Sequence, residues 1–230
     1  MSLLESSTVT SAPFELTLPD IEARVRAAVA SGLPGLEAQR LMAPRPRPGW
    51  RPIDWPEGTR RAAGLILIFP APGPTLVLTV RSRALPQHAG QVSLPGGAVE
   101  PGEALDQAAL REAHEEIGLD PAVTRVTGLL TPLHIPVSGF ALHPVVAVAE
   151  HPPALSAGHG EVARILAVPL AELADPARIG RTTGVRDGVE YDVPSFDVEG
   201  ERVWGATAMI VAELLWVLGC PPDPWGGQKK

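Results

Sequence analysis

The feature that most constrains this chain is the run from Leu94 to Leu119, where a Pro-Gly-Gly stretch gives way to a helix with three glutamates on one face. Leu94-Pro95-Gly96-Gly97 and Pro101-Gly102 read as loop, because glycine and proline weaken helices and strands alike. A proline near a first turn and nearby acids then open a helix predicted over Glu103 to Ile117, which Gly118 stops as the usual left-handed terminal residue. Glu112, Glu115 and Glu116 stand at i, i+3 and i+4, within an arc of about 100°. The preceding turn offers Ala108 and Ala109 on that side, small residues expected to leave room for a ligand. Arg111 is the cation at helical spacing from the cluster. Carboxylates crowded on one arc raise each other's pKa unless a cation sits among them. Hard divalent ions take oxygen ligands of this kind together with substrate phosphates.

A solvated acidic helix face is the plain alternative, and the spacing decides against it. Gly97, Glu103, Arg111, Glu112, Ala113, Glu115, Glu116, Gly118 and Leu119 fit Gly-x5-Glu-x7-Arg-Glu-U-x-Glu-Glu-x-Gly-U at every position, U being aliphatic. Fixed residues at about 6% frequency each would produce such a match by chance in roughly one window in 10⁸. That pattern is the Nudix box, and over about residues 60–220 the chain resembles Nudix hydrolases. The resemblance implies an α/β fold (α+β in detail), the Nudix-type α/β/α sandwich with a mixed β-sheet. It implies Mg²⁺ or Mn²⁺ as cofactor, with Glu112, Glu115 and Glu116 as the catalytic metal ligands and the Gly96 carbonyl joining them. Glu103 and Arg111 would pair and brace the loop against the helix, orienting the site. The general base is a box glutamate or one on a later loop. Glu161, in Gly158-His-Gly-Glu161-Val, is the loop candidate ahead of Glu150, and for each the alternative is a surface acid.

The rest of the chain fits one decorated domain. Residues 1–18 read as a loosely ordered or strand-like lead-in, followed by a helix from Pro19-Asp20 to near Gly32 in which Ile21, Val25 and Val29 recur every four residues. Residues 34–60, rich in Pro, Arg and Trp, are expected to be extended. The predicted divisions are 1–60 as a helix and extended segment packed on the domain, 61–220 as the Nudix domain, and 221–230 as a polar tail. Gly64–Phe69 and Thr75–Val80 are apolar runs joined by a proline-rich turn, a hairpin signal for a sheet buried on both faces. Val123–Leu130, Leu142–Ala149 and Ile165–Leu170 read as further strands, the last opening a short helix over Ala171–Ala174. Tyr191–Trp204 reads as a hairpin about Glu199-Gly200, and Ala206–Leu218 as a final helix.

Hydrophobic residues form 45% of the chain, ample for a core, and the net charge of −7 argues against a surface that tracks nucleic-acid phosphates. Cys220 is the one cysteine, which excludes an internal disulfide and fits a reducing compartment. No basic, apolar leader opens the sequence. The run Ala206–Cys220 is interrupted by Glu213 and too short to span a bilayer. A cytoplasmic protein without membrane or nucleic-acid partners is expected, of open oligomeric state. The scattered His88, His134 and His159 do not suggest zinc.

The box does not name a substrate, but the stretch before it narrows the choice. Leu78-Thr-Val-Arg-Ser-Arg-Ala-Leu-Pro-Gln-His-Ala-Gly90, continuing to Gly97, resembles the signature of Nudix coenzyme A pyrophosphatases, Leu-Leu-Thr-x-Arg-Ser-x3-Arg-x3-Gly-x3-Phe-Pro-Gly-Gly. Leu78, Thr79, Arg81, Ser82, Gly90, Pro95, Gly96 and Gly97 match. Val77, Pro86 and Leu94 depart from it, and Pro86 removes an arginine that Arg83 or His88 could replace. The resemblance implies a small nucleoside diphosphate derivative, coenzyme A, cleaved to 3′,5′-ADP and 4′-phosphopantetheine, with Arg81, Ser82, Arg83, Gly96 and Gly97 as substrate contacts. Arg81 and Arg83 alternate about Ser82 at a strand end and should share a face. The alternatives are an ADP-ribose or dinucleotide pyrophosphatase, or a non-catalytic nucleotide sensor of the same fold.

Overall fold

The runs Leu65-Ile66-Leu67-Ile68 and Leu76-Val77-Leu78 have no polar face, so they can only lie between two covering layers. The structure, a computed structural model, describes residues 14–47, 55–84, 88–158, 160–186 and 188–226. Among the described residues α1 (Leu18–Ser31) and α2 (Leu36–Gln39) come first, then the hairpin β1 (Arg60–Pro70) and β2 (Pro74–Arg81). Two short strands, β3 (Val92–Ser93) and β4 (Gly96–Ala98), lead into α3 (Leu105–Ile117). Then come β5 (Thr124–Leu129), β6 (Leu133–Ile135), β7 (Phe140–Ala149), β8 (Val162–Pro169) and α4 (Leu170–Ala174). The chain closes with β9 (Ile179–Arg186), β10 (Val189–Val198), β11 (Glu201–Trp204) and α5 (Gly205–Val217).

The main sheet runs β3-β2-β1-β7-β5, with β4 also beside β1, β6 beside β7 and β8 beside β2. β1 and β7 are parallel from Arg60↔Phe140 to Ile68↔Val148, and the β1–β2 and β5–β7 pairs are antiparallel, so the sheet is mixed as expected. Side-chain alternation along β1 sorts its apolar run into two cores. Leu65, Leu67 and Phe69 pack with Val145 and Ala147 under Ala109, Ala113 and Ile117 of α3. Ile66 and Ile68 pack with Val146 and Val148 under Ile210 and Leu214 of α5 and Ile21 and Val25 of α1. The result is the α/β/α sandwich. No helix among the described residues is long and apolar enough to cross a membrane.

Three expectations need correction. The segment after Pro34 is not simply extended: Leu36–Gln39 is α-helical and Arg40–Met42 forms a 3₁₀ turn that buries Met42 completely. Good helix formers fill that window, and bracketing prolines hide it. Their anchor is Glu213 of α5, fully buried, which accepts from Gln39 Nε2 at 2.9 Å and from the Thr131 amide at 3.2 Å. The hairpin about Glu199-Gly200 is present, with φ of 48° and 77° at those residues, but it belongs to a separate sheet in which β9 pairs with β10. Gly96 and Gly97 are strand, not loop, for a reason that belongs to the site. The lead-in before residue 14 and the tail beyond residue 226 lie outside the described residues.

Candidate active site

β4 pairs with β1 through Ala62↔Ala98, Ala63↔Gly97 and Gly64↔Gly96. Glycine is uncommon in strands, yet here it allows a close approach. A Cβ on Gly96, whose φ is 154°, would stand 2.2 Å from the Ala63 carbonyl oxygen. One on Gly97 would stand 2.4 Å from the carboxyl carbon of Glu112. The two glycines thus bring the β4 backbone against both the sheet and the glutamate helix.

α3 begins at Leu105, two residues later than the sequence suggests, because Pro101-Gly102 is a turn and Glu103 precedes the helix. Glu103 is therefore free to turn back. It accepts from the Glu100 amide at 3.0 Å and takes Nε and Nη2 of Arg111 at 2.9 and 3.2 Å. This fork is the pairing the resemblance implies, and it holds the Glu103 carboxyl below the ordinary carboxylate range, the Arg111 side chain being the largest cause. Arg111 does more than brace: Nη1 reaches Glu112 at 2.9 Å and Glu115 at 3.4 Å, and Nη2 reaches the Ala98 carbonyl at 3.1 Å. Ala108 and Ala109 do not leave room for a ligand, as their spacing suggested. Both are fully buried against the sheet, where their small size lets α3 sit close to β1.

The three glutamates differ in environment. Side-chain exposure is 58% for Glu115 and 18% for Glu112, while Glu116 is buried. Glu116 Oε2 accepts from the Gly96 amide at 3.0 Å. Burial pushes the Glu116 carboxyl up to about 7, against the Gly96 hydrogen bond and Arg81, with Glu112 and Glu161 adding repulsion. Desolvation, rather than crowding on the arc, is the main cause.

Glu112, Glu115, Glu116, Gly158, Glu161 and Val162 line one cavity of about 220 Å³. Glu161, from the segment before β8, thus joins the three glutamates that the sequence placed on the helix. Its carboxylate lies 3.9 Å from Nη2 of Arg81, beyond hydrogen-bond reach, and Nε of Arg81 is buried without a hydrogen-bond partner among the described residues. The Arg81 guanidinium thus stands beside Glu161 without a hydrogen bond to it. Among the described residues, no three such side chains form a ready-made coordination shell. Glu112 and Glu115 face Arg111, and Glu116 faces Gly96. The donor set still fits a hard cation: all carboxylate oxygens, one of them buried where a bound positive charge would favour its ionised form, beside open space for waters and phosphate.

The remaining predicted residues divide. Ser82 donates its amide to the Glu161 carbonyl at 2.7 Å and is thereby tied to one of the cavity residues. Arg83 lies past the end of β2 in an exposed turn, so strand alternation does not carry it to the face of Arg81. Glu150 pairs with Arg125 at 3.1 Å and lines a different groove, beside Asp120 and His151. His88 is exposed and His134 buried on β6, neither in the glutamate cavity. Pro86 and His159 lie outside the described residues. Sequence reasoning missed Gly158 and Ser156, whose amides meet the end of α3; contacts made through the main chain leave no side-chain signal.

A family model described as NUDIX domain matches residues 58–184. The uncharacterized Nudix hydrolase NudL of Klebsiella pneumoniae subsp. pneumoniae is 39% identical over 184 residues, covering 80% of this chain and 93% of that protein. NudL of Escherichia coli O7:K1 is 39% identical over 164 residues, covering 71% and 85%. Among solved structures, the Nudix hydrolase RenU of M. smegmatis superposes with a TM-score of 0.45 at 28% identity, covering 56% of this chain and 84% of that one. DR0079 from Deinococcus radiodurans gives 0.46 at 19% identity, covering 73% and 86%.

Proposed function

The chain belongs to the Nudix hydrolases, and from that premise we propose that it cleaves the diphosphate of coenzyme A, or of its acyl or disulfide derivatives, into 3′,5′-ADP and 4′-phosphopantetheine. The family chemistry is hydrolysis of the diphosphate in a nucleoside diphosphate derivative, generally with Mg²⁺ or Mn²⁺. The observation that carries the reading is the gathering of Glu112, Glu115, Glu116 and Glu161 about one cavity, with the Arg81 guanidinium 3.9 Å from Glu161. Choice of coenzyme A rests on the likeness of Leu78–Gly97 to the coenzyme A pyrophosphatase signature.

In this reading Glu112, Glu115 and Glu116, with the Gly96 carbonyl, hold the divalent ion. When bound, it supplies charge neutralisation at the phosphates and acidifies water. The chain's own residues do the rest. Glu161 takes a proton from the attacking water; it is the most exposed carboxylate of the cavity and makes no hydrogen bond to Arg81, 3.9 Å away. Arg81 binds phosphate through its free N–H groups, a charge-assisted contact. Ser82 and Gly97 would add substrate contacts, and Arg83 would reach substrate only from its turn beyond β2. Glu103 and Arg111 keep the glycine-bearing strand and the glutamate helix in register, so that the reacting groups meet without reorganisation.

Chromatography of the products from coenzyme A, ADP-ribose and NADH, each with Mg²⁺ and with Mn²⁺, tests the proposal. Release of 3′,5′-ADP and 4′-phosphopantetheine supports it. Intact coenzyme A beside cleaved ADP-ribose or NADH would leave the family chemistry and remove the substrate.

A further inference from the structure

An α-helix leaves its last carbonyls without partners inside the helix. At the end of α3 the Gly118 amide takes the His114 carbonyl at 3.0 Å and the Leu119 amide takes that of Ala113 at 3.4 Å. The next carbonyls are satisfied from a distant part of the chain. The Gly158 amide donates to the Glu116 carbonyl at 2.7 Å, and the Ser156 amide to that of Ile117 at 2.9 Å. Gly158 lies so close to the helix that a Cβ there would stand 2.3 Å from the Glu115 carbonyl oxygen and 3.0 Å from that of Glu116. A few residues on, the Glu161 carbonyl accepts from the Ser82 amide at 2.7 Å. The segment is thus fastened at both ends by main-chain hydrogen bonds. One end is tied to Glu116 and Ile117, the other to the strand end that carries Arg81.

We propose that Gly158 is a positioning residue for catalysis: by lacking a side chain it lets the chain at Ser156 and Gly158 dock on the glutamate-bearing end of α3, and so sets the place of Glu161 in the cavity. The inference rests on the role given to Glu161 above. The Glu161 side chain is 62% exposed, so packing does not hold it. Its place is set by its backbone, and its backbone by the clasp. An alanine at 158 must push the segment off the helix, and displacements near 1 Å at a reacting group cost up to about 10²-fold in rate.

The test is a double-mutant cycle on the full-length protein, with kcat and KM measured at saturating Mn²⁺ for wild type, Gly158→Ala, Glu161→Gln and the double variant. Gly158→Ala is expected to lower kcat by about tenfold to a hundredfold with KM nearly unchanged, and to add almost nothing in the Glu161→Gln background. Additive losses would overturn the proposal, because Gly158 would then act on something other than Glu161. Full activity in Gly158→Ala beside an impaired Glu161→Gln would also overturn it while leaving the role of Glu161 intact. Full activity in Glu161→Gln would remove that role, and the proposal with it. Amide hydrogen exchange on the wild-type protein covers the case of a variant that does not fold. The Ser156 and Gly158 amides are expected to be protected like those of α3, and exchange at the rate of a free loop would overturn the clasp.

Discussion

The main-chain amide of Gly96 donates to Oε2 of Glu116 at 3.0 Å, tying the buried glutamate of α3 to strand β4. Glutamine at 116 keeps an acceptor for that amide and loses the charge. Glu116→Gln is therefore expected to fold and to lose turnover by more than about a hundredfold, since metal-borne charge stabilisation is worth several kcal/mol. Wild type should melt roughly 5–10 °C higher in Mg²⁺ or Mn²⁺ at about a hundred times Kd, and the variant should lose most of that rise. Undiminished activity in saturating Mg²⁺, or a wild-type melting curve indifferent to both ions, would contradict the metal site.

The fork between Arg111 and Glu103 makes a second prediction. Lysine at 111 keeps the charge but cannot span Glu103, Glu112, Glu115 and the Ala98 carbonyl together. Arg111→Lys should lower both the melting temperature and, by about tenfold, kcat. A variant equal to wild type in both would show that the brace is idle.

Much of this was legible before the structure, and the remainder was hidden for physical reasons. Helical spacing alone put Glu112, Glu115 and Glu116 together, and the pairing of Arg111 with Glu103 followed from the family pattern. The alternation of Leu65, Ile66, Leu67 and Ile68 between two cores followed from an unbroken apolar run. Gly96 and Gly97 looked like loop because their strand role depends on backbone proximity to Ala63 and Glu112, which composition does not express. Ala108 and Ala109 pack into the core instead of leaving ligand space, since smallness serves close packing as well as ligand access. β9 was missed because Ile179-Gly-Arg-Thr-Thr-Gly184 has little apolar alternation, and residues from Arg181 to Val185 are exposed.

Glu213 should set part of the pH dependence of stability. Burial raises its pKa above the ordinary carboxylate value, against the donors Thr131, Gln39 and Gly35. A carboxyl with a raised folded pKa contributes stability that is complete below the unfolded value and lost as pH rises through the folded one. Urea unfolding between about pH 5 and about pH 8 should therefore show wild type losing stability relative to Glu213→Gln as pH rises. Parallel profiles would mean that Glu213 does not titrate across that window.

Arg81 is expected to read the 3′-phosphate of coenzyme A. A charge-assisted hydrogen bond contributes about 1.5–3 kcal/mol, so dephospho-coenzyme A should be poorer in kcat/KM by about tenfold to a hundredfold. Arg81→Ala should erase most of that difference by slowing coenzyme A hydrolysis more than that of the dephospho compound. Equal cleavage of both compounds by wild type would remove the contact.

The most direct measurement is competition between coenzyme A and ADP-ribose, at equal concentration in one reaction with Mg²⁺, followed by chromatography of the surviving substrates. The ratio of their disappearance gives the ratio of kcat/KM without separate kinetics. Coenzyme A should be consumed first, with 3′,5′-ADP and 4′-phosphopantetheine appearing in equal amounts. Preferential loss of ADP-ribose would contradict the substrate assignment.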